Sequence, residues 1–179
     1  MEQSVDIFSP QAEHHLKQTL VSAVNHEQVG HSTKLGGLKG CEHAACLANM
    51  TRPQYLSLCI YFGLNVSVRD IEELQMFVVT NHIMKQHWYG QGDYYSDWKM
   101  QRRINGLALA AIKNLTPNKK EKPTSAEVAN IMEFSTSALN KATAKGDKWS
   151  YRYQAACRYL QGELEGAANV VHKNSMQVN

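Results

Sequence analysis

Apolar residues recur along this chain mostly at intervals of three and four, the period of a helix with one buried face. Leu16, Leu20, Val21 and Val24 follow Ser9-Pro10, a helix start with Pro at the first helical position, and predict a helix over 10–29. Four glycines between Gly30 and Gly40 predict a loop. A short helix is expected over 41–50. The next begins at Thr51 or Arg52, carries Tyr55, Leu58, Cys59 and Phe62 on one side, and ends at Gly63. The run from Tyr55 to Phe62 is the one stretch apolar enough to be disputed as a strand.

Ser67 and Asp70 have the spacing of a capping box, although Glu or Gln is commoner than Asp in the second position. They open a helix over 67–88 with Ile71, Leu74, Phe77, Val78, Ile83 and Trp88 on its face. Gly90-Gln-Gly-Asp93 breaks it. Ser96 or Asp97 caps the next helix, where Trp98, Ile104, Leu107, Ala108, Ala111 and Ile112 repeat at helical spacing. The polar segment from Thr116 to Pro123 is the best boundary in the chain, and helical stretches follow over 124–132, 135–145 and 149–171. The residues from His172 onward are expected to fray. The fold class is therefore all-α, with an N-terminal helical bundle over 1–115 and a helix-turn-helix module over 116–179.

The window Ser125–Ala144 carries the helix-turn-helix reading. Two short helices meeting at a tight corner require buried residues at the fourth, eighth, tenth, fifteenth and eighteenth positions and a small one at the fifth. Those positions hold Val128, Met132, Phe134, Leu139, Ala142 and Ala129. The ninth, where Gly favours the positive φ of the turn, holds Glu133, a departure. Ser135 is an expected N-cap for the second helix. Ser135, Thr136, Ser137, Asn140 and Lys141 would then face a DNA groove, being short donors, an amide and a cation suited to phosphates and base edges. An ordinary helical hairpin in a core has the same pattern.

Charge strengthens the DNA reading. With 179 residues and a formal net charge of +3, the chain is nearly balanced. Residues 97–158, however, hold twelve Lys/Arg against five Asp/Glu, a local excess that suits a polyanion. Lys145 and Lys148 precede the last helix, and Arg152 and Arg158 lie within it among aromatic residues, suited to backbone contacts.

The run Ser150-Tyr-Arg-Tyr-Gln-Ala-Ala-Cys-Arg-Tyr-Leu-Gln-Gly-Glu-Leu-Glu-Gly-Ala167, behind Ala126-Glu-Val-Ala-Asn-Ile-Met132, resembles the C-terminal half of phage late-gene antitermination proteins of the Q type and related phage helix-turn-helix regulators. The resemblance covers the C-terminal quarter of the chain and rests on pattern more than on identical residues. It implies a cytoplasmic protein of a bacterial host that binds double-stranded DNA near promoters and acts on RNA polymerase or a sigma factor. It carries over Thr136, Ser137, Asn140 and Lys141 as readers, with Arg152 and Arg158 as backbone contacts. The alternative is a helical protein–protein interaction protein, an inhibitor or adaptor of a host factor, without nucleic-acid binding. The N-terminal helices would bind the protein partner or pair two copies of the chain.

Enzymatic and metal chemistry have weaker support. Cys41, His43 and Cys46, with His14, His15, His26 and His31 upstream, offer zinc-ligating atoms, but no paired C-x₂-C spacing of the kind some Q-type proteins use. Cys59 and Cys157 lie in apolar helical contexts that favour inert thiols. No phosphate-binding loop, nucleophile elbow or H-E-x-x-H motif occurs, and no cofactor is expected. No apolar run reaches the length of a membrane span. Asp93-Tyr-Tyr-Ser-Asp-Trp98, followed by Lys99, Arg102 and Arg103, is expected to cap the core with its aromatics or, alternatively, to form a protein-binding patch.

Overall fold

The computed structural model describes residues 17, 47–64, 66–86, 95–142 and 147–178. Apart from Lys17, which is helical, the expected helix over 10–29 lies outside these residues, as do the glycine-rich loop, the cysteine–histidine cluster at 41–46, Trp88, the break at 90–93 and Lys145. Among the described residues the fold is all-α, with no strand. These residues include six α-helices: α1 (Arg52–Tyr61), α2 (Val68–Val78), α3 (Trp98–Lys113), α4 (Ser125–Ile131), α5 (Thr136–Leu139) and α6 (Trp149–Val178). The chain divides into two compact units, Leu56–Glu163 and the flanking Met1–Tyr55 with Leu164–Asn179.

In the flanking unit, Leu47 to Met50 form a turn with Asn49 at φ 65°, where a helix was expected. Thr51 and Gln54 close a reciprocal cap at the start of α1: the Gln54 amide donates to Thr51 Oγ1 at 3.4 Å and the Thr51 amide to Gln54 Oε1 at 3.0 Å. The end of α6 does not fray at His172 but stays helical to Val178. Asn174 Nδ2 donates to the Ala48 carbonyl at 2.7 Å, which ties that end down.

The larger unit is built outward from α3. The disputed run after Tyr55 is helical, and α1 ends on Gly63 at φ 63° as expected. The Leu64 amide reaches the Cys59 carbonyl and the Gly63 amide that of Ile60, satisfying two otherwise orphaned acceptors. Ser67 and Asp70 form the expected capping box on α2. The helix expected over 67–88 does not continue as an α-helix, because Val79–Ile83 widen into a π-helical turn and Met84–Gln86 tighten into a 3₁₀ turn. The Thr80 hydroxyl donates to the Met76 carbonyl at 2.7 Å at this point, an insertion into the helical ladder of the kind that distorts it.

Helix α3 packs on α2, where Gln75 Nε2 donates to the Asn105 carbonyl at 2.7 Å. Its N-cap is Asp97, whose carboxylate accepts from the amides of Lys99 and Met100. Ile104, Leu107, Ala108, Ala111 and Ile112 are buried as the spacing predicts. Trp98, assigned to the same face, is not. Helix α3 also packs on α4, across the segment 116–123. At their crossing Gly106 brings backbone against backbone: a Cβ there would lie 2.5 Å from the Ile131 carbonyl oxygen. Helix α4 opens with a capping box between Thr124 and Glu127.

No helix of the described residues is long and apolar enough to cross a membrane.

Candidate nucleic-acid interface

The corner between α4 and α5 is a Schellman turn. The Phe134 amide donates to the Ala129 carbonyl at 2.8 Å and the Glu133 amide to that of Asn130 at 3.1 Å. Glu133 itself holds the left-handed conformation, φ 57°, that glycine usually supplies. The departure at the ninth position therefore does not prevent the turn. Val128, Ala129, Met132 and Leu139 are buried as predicted, Phe134 is half-buried, and Ala142 is exposed.

Two neighbouring arginines of α3 grip this corner. Arg102 pairs with Glu133, and Arg103 lies over the Phe134 ring, 4.6 Å from its centroid. Phe134 meets Trp149 edge-on at 5.0 Å, and Arg152 lies 5.2 Å from the centre of Trp149 on α6. Cation, two aromatics and cation thus form one column that joins α3, the corner and the start of α6. Each guanidinium gains from an aromatic face, and the aromatic pair from its edge-on geometry.

This column overturns the expected role of Arg152. Its side chain is 2% exposed and fully engaged: Nε and Nη2 donate to the two Asp147 carboxylate oxygens at 2.7 and 2.6 Å. A guanidinium so enclosed does not reach a phosphate, so Arg152 is a packing residue and not a DNA-backbone contact.

The second helix is also shorter than expected. Helix α5 is a single turn, ending at Asn140 where 135–145 was predicted helical. Ser135 occupies the N-cap position, but its hydroxyl makes no capping bond and lies 3.0 Å from that of Ser137. After Asn140 the backbone turns away, and Ala142 pairs with Lys148 in an isolated antiparallel bridge. That bridge brings Lys148 next to Ala142, the residue that follows Lys141, while Ser135, Thr136, Ser137 and Asn140 lie on α5 and its caps just before it. The two lysines and these four polar residues are exposed. Arg158 is exposed but not part of this group: it stands about 15 Å of helix rise beyond Lys148 on α6.

The acidic residues of this region are committed to local structure. Asp97 caps α3, Glu127 caps α4, Glu133 pairs with Arg102 and Asp147 with Arg152, while Glu121 accepts from Thr116 and Asn118. Bonds from Thr124, backbone first, hold the Glu127 carboxyl below its ordinary range. The cations of the same stretch are mostly exposed, namely Lys99, Lys113, Lys119, Lys120, Lys141 and Lys148.

A second cluster lies where the π-helical turn meets α6. His82 stacks on Tyr159 with centroids 5.0 Å apart and planes 18° apart. Burial, and secondarily the Arg158 charge, lowers the His82 pKa, which favours a neutral imidazole. Burial pushes Tyr159 up to about 12 and the Cys157 thiol up to about 11. Cys157 is thus held as a thiol, unsuited to attack. Among the described residues no three His, Cys, Asp or Glu side chains gather as a metal site.

No family model, curated protein or solved structure matches the chain.

Proposed function

We propose that the protein is a DNA-binding regulator that contacts duplex DNA through the α4–α5 corner. The observation that supports this most is the Ala142–Lys148 bridge, which brings Lys148 back to the segment of Lys141, directly after the exposed Ser135, Thr136, Ser137 and Asn140. Two cations and four short polar groups, all exposed, suit a phosphate backbone and the edges of bases. Lys145, midway in the sequence between Ala142 and Lys148, belongs to the same proposed contact by that place. The single-turn α5 limits how far a reading helix can enter a groove, so phosphate contacts supply most of the affinity. Action on RNA polymerase or a sigma factor, in late-gene antitermination, is the finer reading and rests on the resemblance of the C-terminal quarter to Q-type proteins.

The test is binding of the full chain to a labelled random-sequence duplex over a series of salt concentrations. Each lost phosphate contact removes about 0.9 from the slope of log affinity against log salt. Replacing Lys141 and Lys148 together by alanine is therefore expected to flatten that slope by nearly 2. Because both side chains are exposed, the melting temperature is expected to stay the same. Folded wild-type protein that shows no salt-dependent duplex binding would support the protein-interaction alternative.

A further inference from the structure

The first turn of α3 carries an aromatic surface that the duplex contact does not use. Trp98 is 60% exposed, the only exposed tryptophan among the described residues, and Tyr95 just before it is 78% exposed. Neither caps the core. Lys99 Nζ and the Arg102 guanidinium each lie over the Trp98 ring, 5.7 Å from its centre, and still leave it 60% exposed. Asp97, the nearest acid in the sequence, points its carboxylate into the helix cap. Arg102 is held at its position by Glu133.

We propose that Trp98, flanked by Lys99 and Arg102, is a stacking platform for an unpaired base of single-stranded nucleic acid. The flanking cations select a polyanion. The exposed indole selects one that offers a flat π-face, and a duplex keeps those faces stacked inside. A single strand supplies both, its phosphates to Lys99 and Arg102 and a base to Trp98. Aromatic platforms beside cations are the general solution for binding single strands with little sequence preference. An acidic polypeptide satisfies the charge but offers no regular series of aromatic faces. This surface meets the α4–α5 corner at the Arg102–Glu133 pair but uses none of the six residues proposed to face the duplex.

The experiment titrates the full chain, in wild-type, Trp98→Ala and Trp98→Phe forms, with a labelled oligothymidylate of about 12 nucleotides and, separately, with a labelled duplex. The expected result is wild-type binding to the single strand, a loss of at least about fivefold in Trp98→Ala, and retention of most affinity in Trp98→Phe. Duplex affinity is expected to be equal in all three. Melting temperatures, expected to agree because Trp98 is exposed, show that the variants are folded. Three outcomes overturn the proposal: no single-strand binding by the wild type, equal binding by Trp98→Ala, or equal loss of single-strand and duplex binding in that variant. Oligoglutamate binding that depends on Trp98, without oligothymidylate binding, also overturns it and assigns the surface to an acidic protein.

Discussion

Replacing Arg152 by alanine is expected to destabilise the protein by about 3 kcal/mol, near the lower end for removal of one partner of a buried ion pair. The guanidinium is 2% exposed and makes two short bonds to Asp147. Its loss strands the Asp147 carboxylate and removes the cationic end of the Arg103–Phe134–Trp149 column. Asp147 keeps 29% exposure, so water recovers part of the loss, which is why the upper end of the range is not expected. A thermal melt followed by circular dichroism is expected to fall by about 6–12 °C. Arg152→Lys is expected to recover only part of this, because an ammonium cannot make the two-pronged contact. Affinity for duplex DNA, measured where the variant is folded, is expected to match the wild type. An unchanged melting temperature with weakened DNA binding would restore Arg152 as a phosphate contact.

Gly106→Ala carries the second large effect, and its sign opposes helix propensity. Exchanging glycine for alanine within an exposed helix normally stabilises by roughly 0.5–1 kcal/mol. At Gly106 the added Cβ would meet the Ile131 carbonyl oxygen at 2.5 Å and Met132 Cα at 3.0 Å. Both are backbone atoms, which cannot swing aside as a side chain can. The helices must part, at an overpacking cost of about 1–3 kcal/mol or more. A net loss of about 2 kcal/mol, seen as a fall of about 4–8 °C in melting temperature, is the expected result. Gly162 on α6 is the internal control, since a Cβ there meets nothing within 4 Å. Gly162→Ala is expected to raise stability by about 0.5–1 kcal/mol. If both variants are stabilised, the close α3–α4 crossing is refuted.

Local signals were the most legible in the sequence. The Ser67–Asp70 box, the Asp97 cap, the Gly63 stop and the buried face of α3 are each written within one or two helical turns. The Thr124–Glu127 box has the same kind of local signature, T-x-x-E just before an apolar run. Glu133 looked like a departure because residue type is only a proxy for φ; the turn is made by backbone bonds that Glu permits at a cost. Arg among aromatics fits phosphate binding and cation–π packing equally well, so residue type does not separate the two roles at Arg152. Asp147, five residues earlier at the helix start, was the sign of the second. Trp98 has the period of the buried face but lies at the first position of α3, where that face leaves the core. The π-helical turn at Val79–Ile83 and the Ala142–Lys148 bridge have no local signature, since each depends on how the ladder is satisfied in three dimensions.

Arg102 stands between the two surfaces, with its guanidinium on Glu133 at the corner and beside the ring of Trp98 at the start of α3. If both proposed contacts form, a single strand that recruits Arg102 draws on its pair with Glu133 at the corner. The free energies of the two occupancies are then not additive, and whatever factor one ligand imposes on the affinity of the second is returned in equal measure. The pair is exposed, so the expected mutual effect is at most about 1 kcal/mol, and a double titration with duplex and single strand would read it as one number.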